Sequence, residues 1–213
     1  MSNKDSKPVN ENYPTPRWVV RRLLEVWTPP KGVAMDPAVG EGAIIKSIHD
    51  SYKWKITEWV TCDIRDVPKM AWASAGVPVD HHHCDYLRTP LEVSDVSLVT
   101  TNPPFSLADN FIRKARLECP KAELVFLLRL GFLASEERAV LWYDVGEPDV
   151  WVLPNRPSYV SKKPGRLDTD KYDYGWFIWP PHSDKLHDHG EGSRTRGTIG
   201  HLKLTTLEER KRG

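Results

Sequence analysis

Long apolar runs are missing: no stretch of about 18 apolar residues occurs, so the sequence offers no membrane-spanning helix. The polar opening over residues 1–12 also lacks the apolar segment of an export signal. A cytoplasmic protein without membrane association is expected. Cysteine is scarce: Cys62, Cys84 and Cys119 are an odd number with no close sequence pair, which argues against a disulfide framework and fits a reducing compartment. Excess charge of either sign is missing too. Thirty basic against 29 acidic residues give a formal net charge of +1, so any polyanion must be met by local patches rather than a global field. At 213 residues there is room for one α/β domain but not for two with a linker.

Tryptophan, by contrast, is abundant, with nine residues. They could stack on bases, but large aromatics more often fill cores, and that is how they are read. Residues 1–12 carry little apolar surface and are expected to form a flexible lead. After Pro14 and Pro16, residues Trp18, Val19, Leu23, Leu24 and Trp27 recur at helical spacing up to the Pro29-Pro30 stop. An apolar run at 32–38 then enters a glycine-containing turn, and 43–49 is helix-compatible. Strands are predicted at 59–64, 79–86, 96–101 and 123–130, with helices at 107–118 and 135–143, the last capped by Ser135. This alternation predicts a mostly parallel sheet. Two further strands, 150–153 and 174–179, follow without a helix between them. They are predicted to form an antiparallel pair joined by a long loop, 155–173. The domain is expected to span 13–182, and 183–213 to be a polar, partly flexible tail with at most a short strand or helix near its end.

Chemistry concentrates at predicted strand ends. Asp36-Pro37-Ala38-Val39-Gly40-Glu41-Gly42 lies where a strand passes into a helix. Glycines there let backbone approach a ligand, and Asp36 sits at the carboxyl edge of the sheet, where open α/β sheets bind ligands. Asp63 ends the next strand and could accept hydrogen bonds from both hydroxyls of a ribose. Asp85 ends the third and could accept from an adenine amino group, with Tyr86 or Leu87 beside the ring. Taken singly, each aspartate reads equally well as a loop or helix cap.

Thr101-Asn102-Pro103-Pro104-Phe105 closes the fourth strand. An exocyclic base amine is a poor nucleophile because its lone pair is delocalised into the ring. The Asn102 side-chain oxygen and the Pro103 carbonyl could accept its two hydrogens and concentrate electron density on nitrogen. Two prolines would hold those acceptors in place, and Phe105 would stack on an extruded base.

The segment from Asp36 to Gly42, followed by Asn102 to Phe105, resembles the paired signature of the amino-group nucleobase methyltransferases. Tyr13-Pro14-Thr15-Pro16 resembles the Thr-Pro segment that precedes the cofactor loop in that family. With that segment first, the order is similar to the gamma arrangement of adenine-N6 DNA methyltransferases, and the short chain to compact phage-borne members. The resemblance covers roughly residues 13–179. It implies a Rossmann-like class I methyltransferase fold, seven strands mostly parallel with an antiparallel C-terminal hairpin and helices on both faces. It further implies S-adenosylmethionine as cofactor, held by Tyr13, Thr15, Pro16, Asp36, Ala38, Gly40, Gly42, Asp63, Asp85 and Tyr86. Asn102, Pro103, Pro104 and Phe105 become the catalytic set, with DNA as partner. Members of strong sequence specificity usually carry a separate recognition domain, whereas here only the 155–173 loop and the tail are available.

In that loop Arg156, Lys162, Lys163 and Arg166 accompany Tyr159, a combination suited to phosphates and a flipped base. His81, His82 and His83 alternate across a strand and cannot converge on one ion, so no metal is expected. RNA is an alternative substrate because its looped bases are easier to extrude. A protein glutamine is disfavoured by Phe105, where protein-modifying relatives generally have tyrosine. A non-catalytic binding subunit is disfavoured because both motifs are intact.

Overall fold

Pro16, with φ of −64°, sets the entry to helix α1 (Arg17–Leu24), whose buried stripe is Trp18, Val19, Val20, Leu23 and Leu24. A computed structural model describes residues 13–67, 76–134, 136–158, 170–182 and 197–203, together with 206 and 209. After α1 come strand β1 (Gly32–Asp36), helix α2 (Ala43–Tyr52), β2 (Ile56–Asp63), β3 (Val79–His83) and β4 (Val96–Thr101). A short 3-10 turn at Phe105–Leu107 leads into α3 (Ala108–Glu118), followed by β5 (Glu123–Arg129), α4 (Glu136–Val145), β6 (Asp149–Val152), β7 (Tyr174–Trp179) and β8 (Ile199–His201). The predicted elements up to β7 are all present. Ser135, the predicted cap of α4, lies outside the described residues.

Among the described residues one sheet contains all eight strands, in the order β3-β2-β1-β4-β5-β7-β6-β8. Strands β1 to β5 run parallel, while β7 is antiparallel to both β5 and β6. The predicted hairpin is therefore formed, and β7 is its inner strand. Side-chain alternation divides the core into two layers, with helices on both faces. Val125 and Leu127 of β5 pack with α1 and α2, whereas Leu124, Phe126 and Leu128 pack with α3 and α4. Trp18, Trp59, Trp176 and Trp179 are buried, as the core reading of the tryptophans requires.

The sheet has one strand more than the seven expected. β8 is three residues long and pairs parallel with the edge of β6. No hydrophobic run announces it, since Ile199 and His201 are exposed. Gly200 fits because a Cβ there would come within 2.6 Å of the Trp151 ring. Among the described residues no helix is long and apolar enough to cross a membrane.

The direction of chain progression reverses at β1, which has β2 on one side and β4 on the other. In a parallel sheet this switch point opens a crevice at the carboxyl ends of the strands. Asp36 ends β1 and Asn102 follows β4, so the two sequence motifs meet there.

Candidate functional site

The turn after β1 is shaped by two glycines in the left-handed region, Gly40 at φ 52° and Gly42 at φ 70°, where an L side chain would be strained. Gly42 caps α2. The turn is tied to the neighbouring strand end: Val39 N–H donates to the Cys62 carbonyl at 3.0 Å, and Gly40 N–H to Asp63 Oδ2 at 2.8 Å. Asp36 is buried and accepts from Ala38 N–H at 3.2 Å. Burial pushes its carboxyl up to about 7, against the opposing pull of Thr101 and the Ala38 amide.

These groups open onto a cavity of about 170 Å³ lined by Tyr13, Thr15, Asp36, Ala38, Gly40, Asp63, Asp85, Tyr86, Asn102 and Pro104. Most of the expected cofactor residues are thus gathered in one place. Pro16, Gly42, Pro103 and Phe105 do not line it. Pro16 and Gly42 instead cap the helices on either side. Pro103 is buried.

Asp63 has both oxygens engaged. Arg65 donates to Oδ1 from its backbone N–H at 2.9 Å and from Nε at 3.0 Å, and to Oδ2 from Nη2 at 3.1 Å. Burial alone would raise the Asp63 carboxyl, but the Arg65 and Gly40 donors outweigh it and hold it below the usual carboxylate range. Arg65 is not among the residues expected from the sequence, where its one signal is its place two residues after a strand-end aspartate. Ile64 between them is 67% exposed beside the cavity and offers an apolar face. Asp85 accepts from Leu87 N–H at 3.0 Å and pairs with Arg88 at 3.4 Å, an arrangement that closes its turn.

Asn102 is fixed from the N-terminal segment. Its Nδ2 donates to the Tyr13 carbonyl at 2.9 Å and to Thr15 Oγ1 at 3.0 Å. Both amide hydrogens are committed, so the orientation of the amide is decided by chemistry: the Tyr13 carbonyl can only accept. Asn102 Oδ1 is left buried and without a partner among the described residues.

Phe105 lines a second cavity, of about 320 Å³, with Arg129, Phe132, Arg138, Lys171, Tyr172 and Asp173 among its walls. The Arg129 guanidinium lies between two rings, 4.4 Å from the centre of Phe105 and 4.0 Å from that of Tyr172. Tyr13 and Tyr174 each stand 5.4 Å from Phe105. The tetrapeptide therefore contributes to two cavities of opposite charge. Asp36, Glu41, Asp63 and Asp85 face the first against Arg65. Arg129, Arg138 and Lys171 face the second against Asp173.

Of the predicted nucleic-acid residues, Arg156 is described and donates to Asp173 Oδ1 at 2.8 Å. Tyr159, Lys162, Lys163 and Arg166 lie outside the described residues. The three histidines of β3 turn to separate partners. His81 bonds Thr61 Oγ1, His82 pairs with Asp80, and His83 bonds the Ile64 carbonyl. Cys62 and Cys84, distant in sequence, bring their sulfurs to 2.9 Å as free thiols.

No protein-family model and no curated protein matches the sequence. Among solved structures, a modification subunit assigned to a type I restriction enzyme from Vibrio vulnificus superposes with a TM-score of 0.64 at 16% identity, covering 95% of this chain and 49% of that one. The 23S rRNA methyltransferase ErmE superposes at 0.57 and 12% identity, covering 82% and 71%. A dimethyladenosine transferase from Plasmodium falciparum does so at 0.56 and 14%, covering 77% and 61%. The chain spans about half the length of the modification subunit it matches. What these superpositions establish is the fold, the Rossmann-like sheet shared with these methyltransferases.

Proposed function

We propose that the chain transfers a methyl group from S-adenosylmethionine to the exocyclic N6 amino group of adenine in DNA, after the base has been extruded from the duplex. The observation that carries this reading is Asn102 Oδ1, a buried acceptor whose own amide hydrogens are already committed to Tyr13 and Thr15. A buried carbonyl oxygen left without a partner costs about 1–3 kcal/mol, and such an orphan is explained when a ligand completes it. An exocyclic amine supplies the missing donor. Accepting its hydrogen builds electron density on nitrogen, and the interaction strengthens as positive charge develops there. Pro103 and Pro104 hold the second acceptor, the Pro103 carbonyl, at fixed backbone angles.

The charges of the two cavities support a division of labour. When bound, the cofactor supplies an electrophilic methyl on a cationic sulfonium. Asp36, Asp63 and Asp85 suit that cation, its ribose and its adenine amine, with Ile64 as an apolar face. The basic and aromatic walls of the second cavity suit a base and its phosphates. The unit 13–182 would form the methyltransferase domain, with 155–173 as the nucleic-acid loop. RNA is the second reading, supported by superposition on ErmE at a TM-score close to that for the modification subunit.

Incubation with labelled S-adenosylmethionine and separate DNA, RNA and protein pools, followed by nucleoside analysis, tests this directly. Label in N6-methyldeoxyadenosine is expected. Label confined to RNA would select the second reading, and an unlabelled set of pools would remove both.

A further inference from the structure

We infer that Thr15 is a positioning residue for Asn102, an inference that rests on the methyl-transfer reading above. A primary amide has two nearly isosteric ends, and half a turn about its terminal torsion exchanges an acceptor for a donor. For Asn102 to accept from an incoming amine, Oδ1 must point to the reacting side and stay there. Two bonds enforce this: Nδ2 to the Tyr13 carbonyl at 2.9 Å and Nδ2 to Thr15 Oγ1 at 3.0 Å. The Tyr13 bond alone pins one hydrogen and leaves the amide plane free to rock. The Thr15 bond pins the second and fixes the plane.

Thr15 can do this because its own position is fixed. Pro14 and Pro16 restrict φ on either side of it, and Pro16 begins α1, whose stripe from Trp18 to Leu24 is sunk in the core. Pre-organisation of this kind lowers the ordering needed at the reacting atom. The same segment, Tyr13 to Thr15, lines the acidic cavity. Thr15 thereby acts through Asn102 in addition to lining the cavity.

Thr15→Val keeps the shape and removes the acceptor, while Thr15→Ser restores it. The Asn102 side-chain amide is followed by nitrogen-15 NMR and hydrogen exchange without substrate, cofactor affinity by calorimetry, and methyl transfer by initial rates. In Thr15→Val we expect faster exchange of the Asn102 amide hydrogens and kcat lower by about tenfold or more, a larger factor than any accompanying rise in cofactor Kd, since Thr15 also lines the cavity. Thr15→Ser returns both. A Thr15→Val protein that loses cofactor affinity at unchanged kcat, or that leaves the Asn102 amide signal unaltered, overturns the clamp. An inactive parent protein overturns the reaction reading itself. An active parent whose Thr15→Val variant matches it in rate overturns the clamp alone.

Discussion

Arg65 grips both carboxylate oxygens of Asp63, with Nε 3.0 Å from Oδ1 and Nη2 3.1 Å from Oδ2. The proposed role of Asp63 is to accept ribose hydroxyls, so the guanidinium and the ribose compete for the same lone pairs. The Arg65 side chain is a third exposed, and a partly solvated pair of this sort is worth about 1 kcal/mol or less. Arg65→Met should therefore tighten cofactor binding modestly, by about three- to fivefold at neutral pH. Calorimetric titration measures it. Weaker binding would mean that Arg65 contacts the ligand itself.

Asp36 gives the site a pH dependence. Its carboxyl is raised by burial to about 7. A raised folded value favours the protonated form in the native state, so the associated stability is full below about pH 4 and is lost as pH climbs through about 7. Asp36→Asn cannot ionise. Its melting temperature should gain on the parent between those values and the difference should level off above them. A cationic ligand beside Asp36 favours the carboxylate, so cofactor affinity in the parent should rise across the same interval, with proton release. Parallel melting curves of parent and variant from acid to neutral pH would contradict the assignment.

The turn from Asp36 to Gly42 and the tetrapeptide at Asn102 were legible because their chemistry is local. Left-handed glycines and paired prolines state a backbone geometry wherever they occur. The strands were legible because β5 and β7 are continuous apolar runs buried on both faces. What escaped reading depends on side chains meeting across the fold. Arg129 enters the gap between Phe105 and Tyr172, which lie on separate elements. Nothing in the local sequence distinguishes Arg129 from a solvated arginine, whereas Arg65 is marked only by following a strand-end aspartate by two residues. Of the Thr-Pro segment, Tyr13, Pro14 and Thr15 line the acidic cavity and Pro16 does not; the segment's bonds to Asn102 required the strand order to bring residue 15 beside residue 102.

The basic cavity should govern affinity for the polyanion. Arg138 lies 4.1 Å over the Phe132 ring, and Lys171 approaches Tyr172 at 4.9 Å, so each cation borders an aromatic wall. Replacing both with Gln removes two positive charges and leaves the acidic cavity untouched. Binding to DNA should weaken at every sequence tested, and the slope of log K against log salt should fall by about 2. Cofactor affinity should stay constant. An unchanged salt slope in a fluorescence-anisotropy titration would place the phosphates elsewhere.

Asn102 separates two kinds of substitution. Asn102→Ala removes the orphan acceptor and the donors to Tyr13 and Thr15, and loss of one pre-organised transition-state hydrogen bond costs on the order of a hundredfold or more in kcat. Asn102→Asp keeps an acceptor oxygen and replaces the donating nitrogen with a second oxygen. In this chain it should also fail, by a smaller factor. The Tyr13 carbonyl, 2.9 Å from Nδ2, can only accept, and a carboxylate oxygen set against it is repelled where the amide was held. Thr15 can turn its hydroxyl to donate, but Tyr13 has no such freedom. We expect Asn102→Asp to lose at least about tenfold in kcat with cofactor affinity within about threefold. Single-turnover rates under saturating cofactor measure both variants. Parent-like turnover in Asn102→Asp would mean that the Tyr13 contact does not orient the acceptor, and parent-like turnover in Asn102→Ala would remove Asn102 from the reaction.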